Sequence, residues 1–590
     1  MESADPGGTP EALANEPSAR SQRWSRQRAP FAAAVVALTA VGLWLRYRDL
    51  GEQLILDDEW HGLRRASEFG ALELASRHFK GATSIPTNVF HRLLLDYWGW
   101  SEVSVRALSI AATAATLVGF PLAVGHAFRS RWLGVLTGVS FALSPFWIFY
   151  GESSRPYAPF LFFTLSGLYC LCRTKASTRL WPWLGYGASA AVAAYFHLFA
   201  LPAFAVAALV PLWRVISTLR RGARPESDGV ASWWSPALRR ELVFQAIGHG
   251  LAVALLVAFY AAPVQNGMFD ALPVQQGDSL LNERLLRHGL ELLAGTRSAA
   301  VGAVLLAAAA FGLVRGARQN REFVALLAAS AAGSLLFMLL TEPYDHHVAL
   351  VALRYNVTFF PLFFLGLASA AQVAFERLAT ASPARARAWA LGAAFLAYCG
   401  LSFALSPLPA LLAVRPNNFR LHSAYQQNYG NWSRDRAYDS DMFRDGLVQT
   451  AAGLSPFYRE LGAADRPCVL VEYPPRIPDA WNPYYFYQQH HGCRVKIGYS
   501  RHGEVGAVLG GLPPERRRFR HFINIEDEAE LRASGADYLV LHVDLDRENE
   551  AAQRAPLPGE EIRRIERRLK AHLGPPIYQD PQLHVFPLAH

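Results

Sequence analysis

The chain has 590 residues, of which 52% are apolar and 18% charged, and its net charge is +9. Soluble domains carry roughly 25% charged residues, so this composition, with its positive mean hydropathy, indicates a membrane protein. The basic residues lie mostly between apolar segments, which excludes nucleic-acid binding as the reason for the positive charge. Five cysteines are too few for a disulfide scaffold of this length.

Residues 1–29 are polar and rich in Pro, Ser, Ala and Arg, which predicts a disordered tail. The apolar segment from Phe31 to about Leu45 is too long for the hydrophobic core of a signal peptide and lacks a clear cleavage site. It therefore predicts an uncleaved first span. Four arginines before it place this end of the chain in the cytoplasm: Arg20, Arg23, Arg26 and Arg28.

Further apolar segments predict spans at 104–126, 133–150, 157–172, 181–196, 198–213, 242–263, 298–314, 323–340, 355–374 and 389–406. Every loop that alternation places in the cytoplasm carries arginine or lysine, as the positive-inside rule requires. Arginine greatly outnumbers lysine, which is typical of a GC-rich bacterial genome. The sequence thus predicts a polytopic α-helical protein of about 11 spans in the bacterial cytoplasmic (inner) membrane, with its C-terminus outside.

The first outer loop, at 46–103, contains the acidic run Leu54-Ile55-Leu56-Asp57-Asp58-Glu59-Trp60-His61. Three adjacent carboxylates repel one another and are costly to desolvate beside a membrane. Such a run is kept either because water reaches it or because a cation or a reacting group needs it. Residues 60–80 and 88–100 predict two helices that lie on the membrane and cover this run, sheltering a site for a lipid-borne substrate.

From Pro407 the apolar spans stop, and a periplasmic α/β domain is predicted over 411–590, after an irregular linker at 416–445. Its predicted strands lie at 468–471, 493–499, 519–525, 537–543 and 583–588, and its predicted helices at 445–462, 526–534 and 559–573. No glycine-rich phosphate loop is present in its sequence. Cys468 and Cys493 either pair as a disulfide, if the domain lies outside the cytoplasm, or stay free.

Several short motifs, in this order along the chain, resemble those of one family. They are the acidic pair after the first span, Gly99-x-Ser101-Glu102-x-x-Val105-Arg106-x-x-Ser109, the run from Tyr150 to Ala158 (YGESSRPYA), His197, and Arg354-Tyr355 ahead of Pro361. The family is the bacterial GT-C glycosyltransferases related to protein O-mannosyltransferases and to the aminoarabinose and lipopolysaccharide-core sugar transferases. The resemblance covers about residues 30–410, a GT-C-like transmembrane catalytic domain.

This resemblance implies a polyprenyl-phosphate-linked sugar as donor and transfer on the outer face of the membrane. It also implies that the acidic pair holds the catalytic Asp; Asp58-Glu59 matches this pair, and Asp57 is additional. The family often has a Glu where this chain has Ser153. Either Glu152 substitutes from the neighbouring position, or the second carboxylate and any metal site there are absent.

Inverting glycosyl transfer needs a base for the acceptor's proton and cationic groups for the departing phosphate. Asp58 is the first candidate for the base and Asp57 the second, while Glu59 is expected to orient the acceptor or a neighbouring group. The alternative is that these carboxylates cap the next helix or pair with Arg64 or Arg65.

Three arginines near outer span ends are predicted to bind the donor phosphate, although each could instead extend to lipid headgroups: Arg155, Arg354 and Arg106. Substrate contacts are predicted for Glu152, Tyr157, His61, His197 and Tyr355, the two tyrosines also fitting an interfacial aromatic belt. A divalent cation could be held by Glu152 with His61, His197, His346 and His347. No ligand spacing in the sequence requires one, so the metal and any cofactor stay open.

Two other functions are compatible with this sequence. A transporter or flippase for a lipid-linked glycan predicts inverted repeats and charged residues at the membrane midplane. No internal repeat is apparent, and the acids lie in loops. A non-catalytic envelope assembly scaffold would use the C-terminal domain to recruit partners. For the glycosyltransferase, the sequence leaves open a hexose or a pentose, and a lipid, glycan or protein acceptor.

Overall fold

The computed structural model describes residues 28–55, 58–79, 81–175, 177–222, 236–271, 283–296, 298–343, 349–381, 386–406, 408–413, 454–474, 484–501, 504–543 and 559–588. The predicted tail up to residue 27, Asp57, His346, His347 and the predicted linker at 416–445 lie outside these ranges. The side chain of Asp58 is likewise outside the described part of the chain.

The described residues before 414 are mostly helical. Its helices are α1 (Arg28–Tyr47), α2 (Asp58–Glu68), α3 (Ala71–Ser76), α4 (Ile85–Tyr97), α5 (Ala107–Ala127), α6 (Arg131–Ala142), α7 (Pro145–Glu152), α8 (Tyr157–Thr174), α9 (Trp181–Phe196), α10 (Ala200–Ala207), α11 (Leu209–Gly222), α12 (Pro236–Gln265), α13 (Glu283–Ala294), α14 (Ala299–Gln319), α15 (Arg321–Thr341), α16 (Ala349–Tyr355), α17 (Phe359–Ala381), α18 (Arg387–Ala404) and α19 (Leu408–Ala413). The loop helix predicted over 60–80 is in fact two, α2 and α3, which are separated at Phe69 and Gly70. The second predicted loop helix is α4.

Seven helical segments of the described residues are long and apolar enough to cross a membrane: Ala29–Glu52, Ser104–Ala127, Ala200–Arg220, Pro236–Gln265, Ala299–Gln319, Arg321–Thr341 and Phe359–Leu378. An eighth is added if the bent pair α6 and α7 counts as one span. Helices α8, α9 and α18 occupy the positions of three more predicted spans without meeting the same criterion. The protein is a polytopic α-helical membrane protein, and the number 11 stays a prediction.

The span predicted over 133–150 is bent, because the helix breaks between α6 and α7. The two helices meet at 65°. Pro145 lacks the N–H that would continue the helix and crowds the turn before it, whereas proline fits the first turn of a new helix. The Ser144 side chain accepts a hydrogen bond from Trp147 N and caps α7.

Arg46, near the end of α1, is fully buried and holds this bend. Its guanidinium donates to the carbonyl oxygens of Phe141 (3.3 Å), Ala142 (3.2 Å) and Trp147 (3.2 Å). The first two carbonyls lie at the C-terminal end of α6, where a cation is favoured by the helix dipole. The contact fixes the start of α7, the helix that ends at Glu152.

The C-terminal part of the chain is an α/β domain. Its elements are α20 (Pro456–Ala463), β1 (Val469–Tyr473), α21 (Tyr484–His491), β2 (Arg494–Tyr499), α22 (Glu504–Gly510), β3 (Phe522–Asn524), α23 (Glu528–Ala533), β4 (Tyr538–His542), α24 (Gly559–Leu573), β5 (Tyr578–Gln579) and β6 (Leu583–Pro587). The five predicted strands are confirmed as β1, β2, β3, β4 and β6, and the helices predicted over 526–534 and 559–573 as α23 and α24. Elements α21, α22 and β5 were not predicted.

The six strands form one mixed sheet in the order β3-β2-β1-β4-β6-β5. Strands β3, β2, β1 and β4 run parallel, and β6 is antiparallel to both β4 and β5. One face of the sheet, with Val471 and Phe586, packs on Ile565 of α24. Cys468 and Cys493, which precede β1 and β2, form a disulfide with their Cα atoms 4.6 Å apart, so the paired alternative is confirmed.

The other face of the sheet shares a hydrophobic cluster with the first loop. Trp60 and Leu63 of α2 and Trp100, which follows α4, lie in this cluster with Val508 of α22 and Phe522 of β3. Residues separated by more than 400 positions therefore pack in one core. As a result, the loop that carries the acidic run and the α/β domain are structurally continuous.

Candidate functional site

Glu59, the second residue of α2, forms a buried ion pair with Arg106. Its Oε1 accepts hydrogen bonds from Arg106 Nε (2.9 Å) and Ser154 N (2.8 Å), and its Oε2 accepts one from Arg106 Nη2 (2.8 Å). A bidentate, charge-assisted pair of this kind fixes both side chains. Glu59 is only 3% exposed and thus joins α2 to the segment after α7.

Arg106 uses every side-chain N–H in this arrangement. Besides Glu59, it donates from Nη1 to the carbonyl oxygens of Leu50 (3.4 Å) and Gln53 (3.3 Å), and from Nη2 to that of Leu54 (2.8 Å). The side chain is fully buried. The predicted role of Arg106 as a ligand of the donor phosphate does not fit this geometry, because no N–H is left to donate; the residue instead holds the 50–54 segment.

Glu152, the last residue of α7, is also fully buried, and its Oε2 accepts a hydrogen bond from Gln53 Nε2 (2.8 Å). It interacts electrostatically with Arg106, so two carboxylates and one guanidinium share a buried network. This position favours a structural role for Glu152, and its predicted contact with substrate stays a prediction. Gln53, which connects Glu152 to Arg106, was missed by the sequence reasoning because a lone glutamine carries no motif.

Residues 153–157 connect this network to a second group of side chains. The carbonyl oxygen of Arg155 accepts a hydrogen bond from Ser109 Oγ (3.0 Å), and Arg155 Nη1 donates to the carbonyl oxygen of Gly81 (3.3 Å). A Cβ added at Gly81, whose φ is +78°, would lie 3.6 Å from the His61 ring. The structure thus brings Arg155 and His61 together at Gly81.

The second group combines aromatic rings with a cation. The ring of His197, in the turn between α9 and α10, lies 5.6 Å from that of Tyr157 and 5.7 Å from that of Tyr355. The guanidinium carbon of Arg354 lies 5.8 Å from the Tyr157 ring and 5.7 Å from the Tyr355 ring. Four sequence-predicted residues from three separate parts of the chain therefore meet in one place.

His197 is held neutral in this group. Burial, with repulsion from Arg354, Arg155 and His78, lowers the pKa of His197 to about 3. Its Nδ1 accepts a hydrogen bond from Phe199 N (3.4 Å). In a neutral imidazole the other nitrogen then carries the proton, so Nε2 is a donor. Arg155 and Arg354 therefore lie close to the N–H donor of the neutral His197.

Two further histidines lie near these groups and were not predicted. His91 of α4 is buried, with Nε2 3.1 Å from the carbonyl oxygen of Val105, and burial lowers its pKa to about 4. His91 interacts electrostatically with both Glu59 and Arg155. Burial also lowers the pKa of His78. Both histidines lie in helices predicted over 60–80 and 88–100, but neither belongs to a motif.

Asp58 is the first residue of α2, directly before Glu59. The ion pair of Glu59 therefore fixes the backbone on which Asp58 lies. Within the described ranges, no group of three or more His, Cys, Asp or Glu side chains is placed to hold a metal ion.

Comparison with known proteins gives similarity at the level of solved structures. No family model and no curated protein matches the chain. Apo ArnT from Cupriavidus metallidurans matches at 14% identity and a TM-score of 0.42, over 96% of this chain and 98% of that one. The same protein bound to undecaprenyl phosphate matches at a TM-score of 0.41, with 14% identity over 96% of this chain and 98% of that one.

Arabinofuranosyltransferase AftD from Mycobacteria matches at 16% identity and a TM-score of 0.41, over 95% of this chain and 40% of that one.

Proposed function

We propose that this protein is a membrane glycosyltransferase that moves a sugar from a polyprenyl-phosphate donor to an acceptor on the outer face of the cytoplasmic membrane. The observation that carries the proposal is the convergence of Arg155 and Arg354 on the neutral His197. The same chain segment, 152–157, is joined through Ser154 N to the helix on which the acidic run continues.

On the donor side, Arg155 and Arg354 bind the phosphate and stabilise the charge that builds up on it as the sugar leaves. His197 contributes an N–H donor without adding charge, because burial and the neighbouring cations keep it deprotonated. The rings of Tyr157 and Tyr355, which lie beside Arg354, offer flat faces for the sugar. His61, near Arg155, completes the lining on the side of the first loop.

On the acceptor side, Asp58 takes the proton from the attacking hydroxyl. The acceptor oxygen forms a bond to the anomeric carbon, the bond from that carbon to the phosphate oxygen breaks, and polyprenyl phosphate leaves with the electron pair. Asp57 is the alternative base. Glu59 does not take the proton in this scheme; it orients the start of α2 through Arg106 and the 153–157 segment through Ser154.

The disulfide supports the proposed orientation, with the N-terminus in the cytoplasm and the α/β domain in the periplasm. Disulfides persist in oxidising compartments such as the periplasm and are rare in the cytosol. The bond between Cys468 and Cys493 is therefore what a periplasmic domain would carry. The same orientation puts Arg155, Arg354 and α2 on the periplasmic side.

The experiment that tests this function uses the purified protein in liposomes that contain polyprenyl-phosphate sugars labelled on the sugar. We expect label to move to an added bacterial envelope extract, with one equivalent of polyprenyl phosphate released per sugar transferred. Passage of intact labelled lipid from one leaflet to the other, without release of polyprenyl phosphate, would contradict the proposal and would instead support a flippase.

A further inference from the structure

The α/β domain packs directly on the loop that carries the acidic run. Trp100 N donates to the carbonyl oxygen of Arg516 (2.9 Å), and Arg518 N donates to that of Trp100 (2.8 Å), so Trp100 pairs with the domain like a short strand. A Cβ at Gly99 would lie 2.9 Å from the carbonyl oxygen of Arg516. Only glycine permits this approach, at a φ of +81°.

Polar side chains strengthen the same contact. Glu102 Oε1 accepts hydrogen bonds from the backbone N–H groups of Arg520 (2.8 Å) and His521 (3.1 Å). Arg494 of β2 pairs with Glu52 at 2.9 Å. The motif residues Gly99 and Glu102 therefore serve to dock the domain in this chain.

Trp60 lies at the centre of this contact, immediately after Glu59. Its ring centroid lies 5.1 Å from that of Phe522, edge to face, and 6.0 Å from that of Phe519. Its Nε1 donates to the carbonyl oxygen of Ile55 (2.8 Å). One buried side chain thus ties together residues 55 and 60, which flank the three acids in the sequence, and anchors both to the domain.

We propose that Phe519 and Phe522 of the α/β domain are positioning residues for catalysis, which act through Trp60 to fix the start of α2, the helix that begins at Asp58. This inference rests on the proposed function. In the described part of the chain, Arg155 donates to the carbonyl oxygen of Gly81, and Arg354 lies against the rings of Tyr157 and Tyr355. Loosening Trp60 should therefore impair the chemical step more than it impairs donor binding.

The test compares Phe522→Leu with Phe586→Leu in the full-length protein. Both side chains are buried in the same domain, but Phe586 lies in the cluster on the opposite face of the sheet, away from Trp60. Since a misplacement of about 1 Å can cost roughly a hundredfold in rate, we expect Phe522→Leu to lower kcat by at least about tenfold. The KM for the donor should change by less than about twofold, and Phe586→Leu should leave kcat near that of the wild type.

A double-mutant cycle with Trp60→Phe tests whether the effect passes through Trp60. Non-additive losses in kcat for Trp60→Phe and Phe522→Leu are expected, because the two side chains are in contact. Additive losses, or equal losses in Phe522→Leu and Phe586→Leu, would overturn the inference, since they would indicate general weakening of the domain.

Hydrogen exchange of the wild type and both Phe variants gives a readout that does not depend on activity. Faster exchange of peptides covering 54–62 is expected in Phe522→Leu and not in Phe586→Leu. Unchanged exchange in Phe522→Leu would overturn the inference whatever the enzyme does. By contrast, full transfer activity of Asp58→Asn would remove the proposed base while leaving this structural coupling intact, so the two failures are distinguishable.

Discussion

The buried pair of Glu59 and Arg106 gives the sharpest prediction about stability. In Glu59→Gln the shape is kept but the charge is lost, and Arg106 stays buried with its cation uncompensated. Removing one partner of a buried ion pair costs about 3–5 kcal/mol. Glu152 lies in the same network and offsets part of the charge, so we expect a loss near the lower end, about 3 kcal/mol.

The matched control is Glu68→Gln on the same helix. Glu68 pairs with Arg64 at 2.9 Å and with Arg65 at 2.8 Å, but Glu68, Arg64 and Arg65 are 35%, 44% and 30% exposed. An exposed pair four residues apart contributes about 0.3–0.5 kcal/mol, so this variant should unfold almost like the wild type. The measurement is the melting temperature in detergent, supported by denaturant titration in mixed micelles where unfolding is reversible.

A double variant separates the charge effect from packing. Replacing a buried ion pair by apolar residues of similar volume is often neutral, so Glu59→Leu with Arg106→Met should be more stable than either single variant. It should nevertheless be inactive, since α2 loses its link to Ser154. Equal and small changes in Glu59→Gln and Glu68→Gln would refute the reasoning, because Arg106 would then not depend on Glu59.

Three further results are expected. Arg155→Ala and Arg354→Ala should each raise the KM for the donor about tenfold to a hundredfold, the range for a lost charged hydrogen bond, with partial recovery in the Lys variants. Folded His197 stays neutral down to about pH 3, whereas the unfolded state protonates below 6.5. The free energy of unfolding therefore decreases as pH falls through that window. His197→Gln should make this decrease shallower by up to about 1.4 kcal/mol per pH unit, followed by the melting temperature at each pH. Opening the disulfide between Cys468 and Cys493, 25 residues apart, by reductant or Ser substitution should cost the α/β domain about 3.5 kcal/mol, measured by thermal unfolding with and without reductant.

Much of the fold could be predicted from local sequence patterns. Short apolar runs between turns predicted β1, β2, β4 and β6, whereas the orientation of the spans, predicted from the basic loops, stays a prediction. The two-residue β5 is too short to leave a pattern, and α21 reads as an irregular aromatic segment. The bend at Pro145 had a local signal, but the high apolar content around it dominated the prediction of one span.

The residues of the candidate site could be picked out by type from the sequence, but their pairings could not. Arg155, Tyr157, His197, Arg354 and Tyr355 do lie together, as their positions at neighbouring loop ends suggested. Whether an arginine at a span end points to water or into the protein depends on partners far away in sequence, which no local pattern records. For this reason the sequence could not show that the side-chain N–H groups of Arg106 donate to Glu59 and to backbone carbonyl oxygens.

The docking of the α/β domain on the first loop could not be predicted from the sequence, for a similar reason. Trp100 and Arg518 pair across more than 400 residues, and the glycine and glutamate involved also fit a family motif. Motif matching identifies such residues without revealing what they contact. The shared hydrophobic cluster around Trp60 is visible only in the folded chain.

Transfer by Asp58→Asn tests the central claim most directly, with Asp57→Asn as the matched control. In the liposome assay with labelled polyprenyl-phosphate sugar, Asp58→Asn should lose about a hundredfold to ten-thousandfold in kcat, the contribution typical of a general base. Donor binding should be kept, because Arg155 and Arg354 are untouched, and Asp57→Asn should retain most of the activity. Normal transfer by Asp58→Asn would contradict the assignment of the base, and loss of transfer in Asp57→Asn alone would move it to Asp57.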